Sequence, residues 1–270
     1  MSARMLEGQV ALVTGAGRGL GRAFAERLAA LGCHIAIHGM REHGPSEFGG
    51  TETLTDVARS IADKNSVRTF KVLGDLTQSE DIARVIQITE ANLGPIDILV
   101  HNAGGDIAAA GGKPNPNDVV NIKAEDVRAV IDRNLLSTIF VCQQVARGMM
   151  DRRRGRIINI GSVAAFKGRT NASIYATAKA GAMHFTRCLA DQMRTYDVTV
   201  NTIAPGDTRT ERFMATRTVD PARLIQEGSL DRIATIDEVA RVIDLFAGPM
   251  GAFVSGQVIR VDGGGQLWPA

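Results

Sequence analysis

Tyr175 and Lys179 stand four residues apart in Tyr-Ala-Thr-Ala-Lys, and Ser162 lies thirteen residues upstream in Gly-Ser-Val-Ala-Ala. On a helix this spacing puts phenol and ammonium on one face, one turn apart. A cation held there eases ionisation of a phenol whose ordinary pKa is ~10. Such a tyrosine is a candidate general acid/base, and the serine hydroxyl can hydrogen-bond the oxygen it works on. Taken alone, the pair is also what a solvated helix face shows, and Ser162 could equally cap a turn.

A second constellation supports the first. The apolar run Gln9–Thr14 suits a buried parallel strand and leads directly into Gly15-Ala16-Gly17-Arg18-Gly19-Leu20-Gly21. Beyond it, Ala23, Phe24, Ala25, Leu28 and Leu31 recur at helical spacing. Strand, glycine turn and helix N-terminus make an anion site, where free backbone N–H groups and the helix dipole face a phosphate. Leu20 occupies the last glycine position of the common G-x-G-x-x-G fingerprint. The pattern here is Thr14-Gly15-x-x-x-Gly19-x-Gly21, a different spacing for the same task.

These residues need a scaffold, and the chain can supply one. At 270 residues with 44% apolar content it can bury a substantial core, and a net charge of +2 argues against an electrostatic nucleic-acid binder. Predicted strands fall at Val10–Val13, His34–His38, Arg68–Leu73, Asp97–His101, Arg156–Ile160, Thr199–Ala204 and Gln257–Val261. Helical patterns alternate with them near Gly21–Leu31, Glu52–Lys64, Ser79–Asn92, Ala124–Met150, Ile174–Tyr196 and Ile236–Phe246. The alternation predicts an α/β fold: one doubly wound, Rossmann-type parallel sheet of about seven strands with helices on both faces, in a single domain spanning 1–270. Gly104–Ile122 and Gly206–Leu230 are irregular and follow predicted strand ends, where open α/β sheets bind ligands. They are expected to form a substrate-pocket wall and a lid. Three scattered cysteines (Cys33, Cys142, Cys188) and five unclustered histidines give no metal spacing. Without an apolar leader or a run of ~20 apolar residues, no membrane association is expected and a cytoplasmic location is.

In order along the chain, the motifs resemble the short-chain dehydrogenase/reductase family in its compact single-domain form. They are Thr14-Gly15-x-x-x-Gly19-x-Gly21, Gly74-Asp75-Leu76, His101-Asn102-Ala103-Gly104, Asn134, Ser162, Tyr175-x-x-x-Lys179, Pro205-Gly206-x-x-x-Thr210 and Val261-Asp262-Gly263-Gly264. The resemblance, nearest to carbonyl reductases of the 3-oxoacyl-carrier-protein type, implies roles. Tyr175 would exchange a proton with the carbonyl oxygen, and Ser162 would hydrogen-bond that oxygen. Lys179 would lower the tyrosine pKa and hold the nicotinamide ribose, and Asn134 would hold a relay water. Gly15, Arg18, Gly19, Leu20 and Gly21 would cradle the cofactor. Asp75 and Leu76 would meet adenine, and Asn102, Ala103 and Gly104 would lie beneath its ribose. Pro205, Gly206, Thr208 and Thr210 would fix the nicotinamide and pyrophosphate. The bland alternatives are that Asn134 faces water, Asp75 starts a turn and the threonines are ordinary loop residues.

Two departures stand out. His101 replaces the family's usual asparagine and is assigned no chemistry. After the second strand, Gly39 occupies the place where an acid would hold the ribose of NAD, while Arg18 and Arg41 could attract a 2′-phosphate and Glu42 could still serve a ribose. The charges favour NADP(H) over NAD(H). Phe166, Phe213, Met214 and Met250 suggest an apolar substrate pocket, against which Arg209, Arg212 and Arg217 could bind an anion. The resemblance implies a small ketone or secondary alcohol as partner and a homotetramer, with the tail Val258–Pro269, including Trp268, reaching a neighbour. Two further classes stay open: a non-catalytic nicotinamide-binding sensor or scaffold, and an isomerase or lyase built on similar residues.

Overall fold

The computed structural model describes residues 4–224 and 228–267. Seven strands form one all-parallel sheet in the order β3-β2-β1-β4-β5-β6-β7. They are β1 (Val10–Val13), β2 (His34–Gly39), β3 (Thr69–Leu73), β4 (Ile98–His101), β5 (Gly155–Ile160), β6 (Val198–Pro205) and β7 (Val258–Val261). The central strands β1, β4 and β6 are buried along their length, while the edge strands β3 and β7 are mostly half-buried.

Strand alternation divides the core between the two faces. Ala11, Val13, Ile35, Ile37, Ile98 and Val100 meet α1 (Gly19–Ala30) and α2 (Leu54–Asn65) through Phe24, Leu28, Val57 and Ile61. Val10, Leu12, Ala36, Val72 and Leu99 face the opposite layer. There Ile82 and Val85 belong to α3 (Ser79–Leu93), Val141 and Val145 to α5 (Ser137–Arg152), and Leu189 and Met193 to α6 (Ser173–Met193). The strand order reverses between β1 and β4, the switch point where such sheets open a crevice at their carboxyl ends.

Three sequence expectations change. The helical stretch 124–150 is interrupted: α4 (Ala124–Ile131) gives way to one π-helical turn, Asp132–Leu136, before α5. A π turn moves backbone N–H bonds off the i−4 carbonyl. Asn134 Nδ2 takes up that carbonyl, donating to Val130 at 2.8 Å. The lid segment is not wholly irregular, because Thr210 accepts from Phe213 N–H and caps a short helix, α7 (Glu211–Thr216). The last helical pattern divides into α8 (Ile236–Ala240) and α9 (Ile243–Ala247). Trp268 and Pro269 lie outside the described residues. Among those described, no helix is long and apolar enough to cross a membrane and no group of ligating side chains could hold a metal ion.

Candidate active site

The glycine turn is locked from beneath by Thr14. Its Oγ1 accepts the N–H groups of Asn102 and Ala103, both at 3.0 Å, and its own proton goes to His101 Nδ1 at 3.2 Å. That fixes the tautomer, so His101 Nε2–H points to Ser137 Oγ at 3.4 Å, and Ser137 donates to the Arg133 carbonyl at 2.7 Å. Asn102 Nδ2 donates to the carbonyls of Thr14 and Gly15 at 3.2 Å each. His38 adds a second tie: Gly15 N–H donates to its Nδ1 at 3.2 Å, and its Nε2 bonds the Gly74 carbonyl at 3.0 Å. Burial pushes His38 down to about 4 and His101, with help from Lys179, to about 3. Both imidazoles are neutral structural ties. Neither role was visible in the sequence, because nothing in a lone histidine at a strand end reveals its partners.

A cleft of about 600 Å³ opens above this floor. It is lined by Gly15, Arg18, Gly19, Leu20, Gly21, Arg41, Asp75, Leu76, Asn102, Ala103, Gly104 and Thr210, among others. The first i→i−4 bond of α1 runs from Arg22 N–H to the Arg18 carbonyl at 3.1 Å, so the amides of Gly19, Leu20 and Gly21 precede the helical ladder. A Cβ on Gly21 would lie 2.1 Å from the Gly15 carbonyl oxygen, so only glycine lets helix and turn approach this closely. These features fit a dinucleotide: donors with no carbonyl of their own, a backbone cradle, and a long cleft across the switch point.

At the end of the cleft nearest β2 several side chains are already engaged. Arg18 pairs with Glu47 at 2.7 Å, donates to the Gly44 carbonyl and stacks on Phe48. Glu42 does not turn to the cleft: Lys71 at 2.8 Å and the Thr55 hydroxyl hold its carboxylate, keeping its pKa down at about 2. Arg41 is exposed. The Asp75 carboxylate accepts from Thr77 N–H and Oγ1, which closes the turn before α3.

A second chamber of about 270 Å³ adjoins the cleft and shares Leu20, Asn102, Gly104 and Thr210 with it. Ser162, Tyr175, Lys179, Pro205, Gly206 and Thr208 line it. The Ser162 hydroxyl lies near enough to the Tyr175 phenol to lower its pKa and accepts from Ala164 N–H at 3.1 Å. It therefore both caps a turn and meets the tyrosine. Burial drives the Tyr175 pKa up, opposed by Ser162. Lys179 is buried on the same face of α6, with Nζ 5.9 Å from the Tyr175 ring centre and donating to the Ile160 carbonyl at 2.7 Å. Burial lowers its pKa to about 8. For the phenol, desolvation thus outweighs Ser162 and the positive charges of Arg212 and Arg217, which act to lower its pKa.

Asn134 lines neither cavity. Its Oδ1 accepts from Gly105 N–H at 2.8 Å and its Nδ2 donates to the Gly105 carbonyl at 2.9 Å, clipping the chamber wall onto the π turn. Thr208 donates to the Gly206 carbonyl, and Thr210 is the α7 cap. The expected apolar lining is sparse: Phe213 is present, but Met250 is 78% exposed and absent from the chamber.

The short chain dehydrogenase family profile matches residues 9–220. The chain is 33% identical over 258 residues to the 3-oxoacyl-(acyl-carrier-protein) reductase FabG of Escherichia coli strain K12, covering 96% of this chain and 97% of that protein. It is 33% identical over 268 residues to cyclohexanol dehydrogenase of Rhodococcus sp. strain TK6, covering 96% of each. Among solved structures, a 7α-hydroxysteroid dehydrogenase complexed with NADH and 7-oxo glycochenodeoxycholic acid superposes with a TM-score of 0.81 at 27% identity, over 97% of this chain and 96% of that one. Levodione reductase gives 0.81 at 26%, over 96% and 98%. A glycine-floored dinucleotide cleft opening onto a Ser–Tyr–Lys chamber, together with these likenesses, makes the chain a member of the short-chain dehydrogenase family, an oxidoreductase that transfers hydride between NAD(P)(H) and a ketone or secondary alcohol.

Proposed function

We propose that Tyr175 is the general acid/base of a carbonyl reductase whose chemistry occupies the chamber between α6 and the glycine turn. The observation that carries the reading is Ser162, Tyr175 and a buried Lys179 together in one chamber continuous with the dinucleotide cleft. The bound dinucleotide supplies the hydride in reduction and accepts it in oxidation. Tyr175 gives its proton to the carbonyl oxygen as the alcohol forms and takes it back in reverse, while Ser162 stabilises the charge on that oxygen. Lys179 favours the phenolate and holds the ribose, and Asn134 keeps the wall at Gly105 in place for both. The glycine turn, Asp75, Leu76, Asn102–Gly104, Pro205, Gly206, Thr208 and Thr210 hold the cofactor. The segments 104–122 and 206–230 enclose the substrate, so one domain does everything; 225–227 lie outside the described residues.

The cofactor favoured is NADP(H). Gly39 presents no acid, Glu42 is committed to Lys71 and Thr55, and Arg41 stands exposed at the cleft. A ketone of the 3-oxoacyl type agrees with the activity for which several relatives are named. A homotetramer in the cytoplasm completes the reading, with Cys33 and Cys142 buried as free thiols. The test is turnover of a ketone panel with each reduced cofactor, wild type against Tyr175→Phe. NADPH should give the higher kcat/KM. The variant should lose at least a thousandfold in kcat with cofactor Kd nearly unchanged; comparable turnover in the variant would remove Tyr175 from the chemistry.

A further inference from the structure

The catalytic chamber carries more positive charge than its own acids neutralise. Five cations line it against two carboxylates, Asp106 and Asp207. Three of the five are set apart: Lys179 serves the chemistry, Arg217 pairs with Asp207 at 3.2 Å, and Arg169 does not reach the dinucleotide cleft. Arg212 and Lys113 are different. Arg212 Nη2 donates to the main-chain carbonyl of Asp106 at 2.9 Å, and Lys113 Nζ donates to the Thr216 carbonyl at 3.3 Å. Neither has a carboxylate within ion-pair distance among the described residues.

The Arg212 guanidinium is half-buried and its seat is built for it. It lies so close over Gly105 that a Cβ there would be 2.5 Å from Nη1. Gly105 in turn is clipped to Asn134 on both its N–H and its C=O. The guanidinium thus rests on a rigid floor at the junction of the two cavities, lining both. Burial and the nearby Arg18 act against its charge, and burial, Arg217 and Arg212 act against that of Lys113. Asp106 favours both charges and Glu47 that of Arg212, yet neither carboxylate pairs with them, so a half-buried guanidinium and an exposed ammonium facing one chamber leave room for an anion.

We propose that Arg212 and Lys113 form an anion subsite of the catalytic chamber, so that the substrate is a ketone or secondary alcohol carrying a carboxylate. The proposal rests on the reductase reading above and names what else the reduced molecule carries. The other source of anionic oxygen at this junction is the dinucleotide pyrophosphate, and the two are separable.

The experiment pairs pyruvate, acetoacetate and levulinate with their methyl esters, on wild type, Arg212→Ala and Arg212→Lys. In wild type, kcat/KM for the best acid should exceed that for its ester by about 10- to 100-fold, the range of a charge-assisted pair removed from water. Arg212→Ala should collapse that ratio towards one, mainly through KM for the acid, and Arg212→Lys should restore part of it. Equal losses on acid and ester accompanied by weaker cofactor binding would assign the arginine to the pyrophosphate and overturn the proposal. Titration calorimetry of the same acids into cofactor-loaded enzyme gives a reading independent of turnover. If no ketone is reduced yet acid binds wild type at least tenfold tighter than Arg212→Ala, the reductase reading fails and the subsite stands. If acid and ester bind wild type alike, the subsite fails whatever the turnover.

Discussion

The Lys179 ammonium is 5% exposed, satisfied by the Ile160 carbonyl, and held by burial at a pKa of about 8 against an ordinary 10.5. The sign of its effect on folding follows directly. Below about pH 8 folded and unfolded chains are both protonated, and the cost of burying the charge, roughly 3 kcal/mol, opposes folding in full; it fades between pH 8 and 10.5. Replacing the ammonium by an apolar side chain of similar length should therefore stabilise the protein while removing turnover. Lys179→Met is expected to gain about 1–3 kcal/mol in urea unfolding at pH 7; a loss would mean that the hydrogen bond to Ile160 outweighs desolvation. The spacing of Tyr175, Lys179 and Ser162 was legible because it is local or motif-borne. The job of Asn134 was only half legible: its side chain is spent on Gly105 and Val130, partners that sequence distance conceals.

Strand tips and helix ends are joined here by neutral imidazoles, and this has an acid signature. His38 and His101 titrate near 4 and 3 when folded and near 6.5 when unfolded. Above pH 6.5 both states are neutral and the stability is complete; as pH falls the unfolded chain binds two extra protons, and stability drops by up to roughly 2.7 kcal/mol per pH unit. His101→Asn keeps a donor and an acceptor without titrating, so the slope of unfolding free energy between pH 6 and 4.5 should fall by about half its histidine part. An unaltered slope would mean that His101 charges without unfolding. The turn itself tolerates no side chain at position 21. Gly21→Ala would press a methyl to 2.1 Å from the Gly15 oxygen and 2.6 Å from Asn102 Nδ2. A loss of roughly 2–3 kcal/mol by urea unfolding, with weakened cofactor binding, is the expected result. Element types were readable from periodicity, yet the π turn was not, since 124–150 keeps an unbroken helical pattern and the interruption arises from one asparagine competing for a backbone carbonyl.

Across the molecule, the apolar strand runs and the crossover rule sufficed for a parallel doubly wound sheet, because buried strands must read as continuous Val/Ile/Leu segments. The pocket character was less accessible. Phe166, Phe213, Met214 and Met250 look apolar as letters, but Met250 is largely exposed and Phe166 stacks under Arg260, leaving the chamber to cations. Exposed apolar side chains also bear on assembly: Phe253 is fully exposed, and Leu267, within the tail expected to reach a neighbour, is 84% exposed. Sedimentation should give four times the chain mass of 28.8 kDa, and Phe253→Asp should reduce it. A wild-type monomer at working concentration would dismiss the tetramer.

The row of bonds from Thr14 through His101 and Ser137 to the Arg133 carbonyl joins the floor of the nucleotide cleft to the bend that clips Gly105. Floor and chamber wall are therefore tied through one row of hydrogen bonds. A nucleotide settling on the floor is expected to brace the substrate's wall, and product-inhibition kinetics in which the nucleotide need not enter first would contradict that coupling.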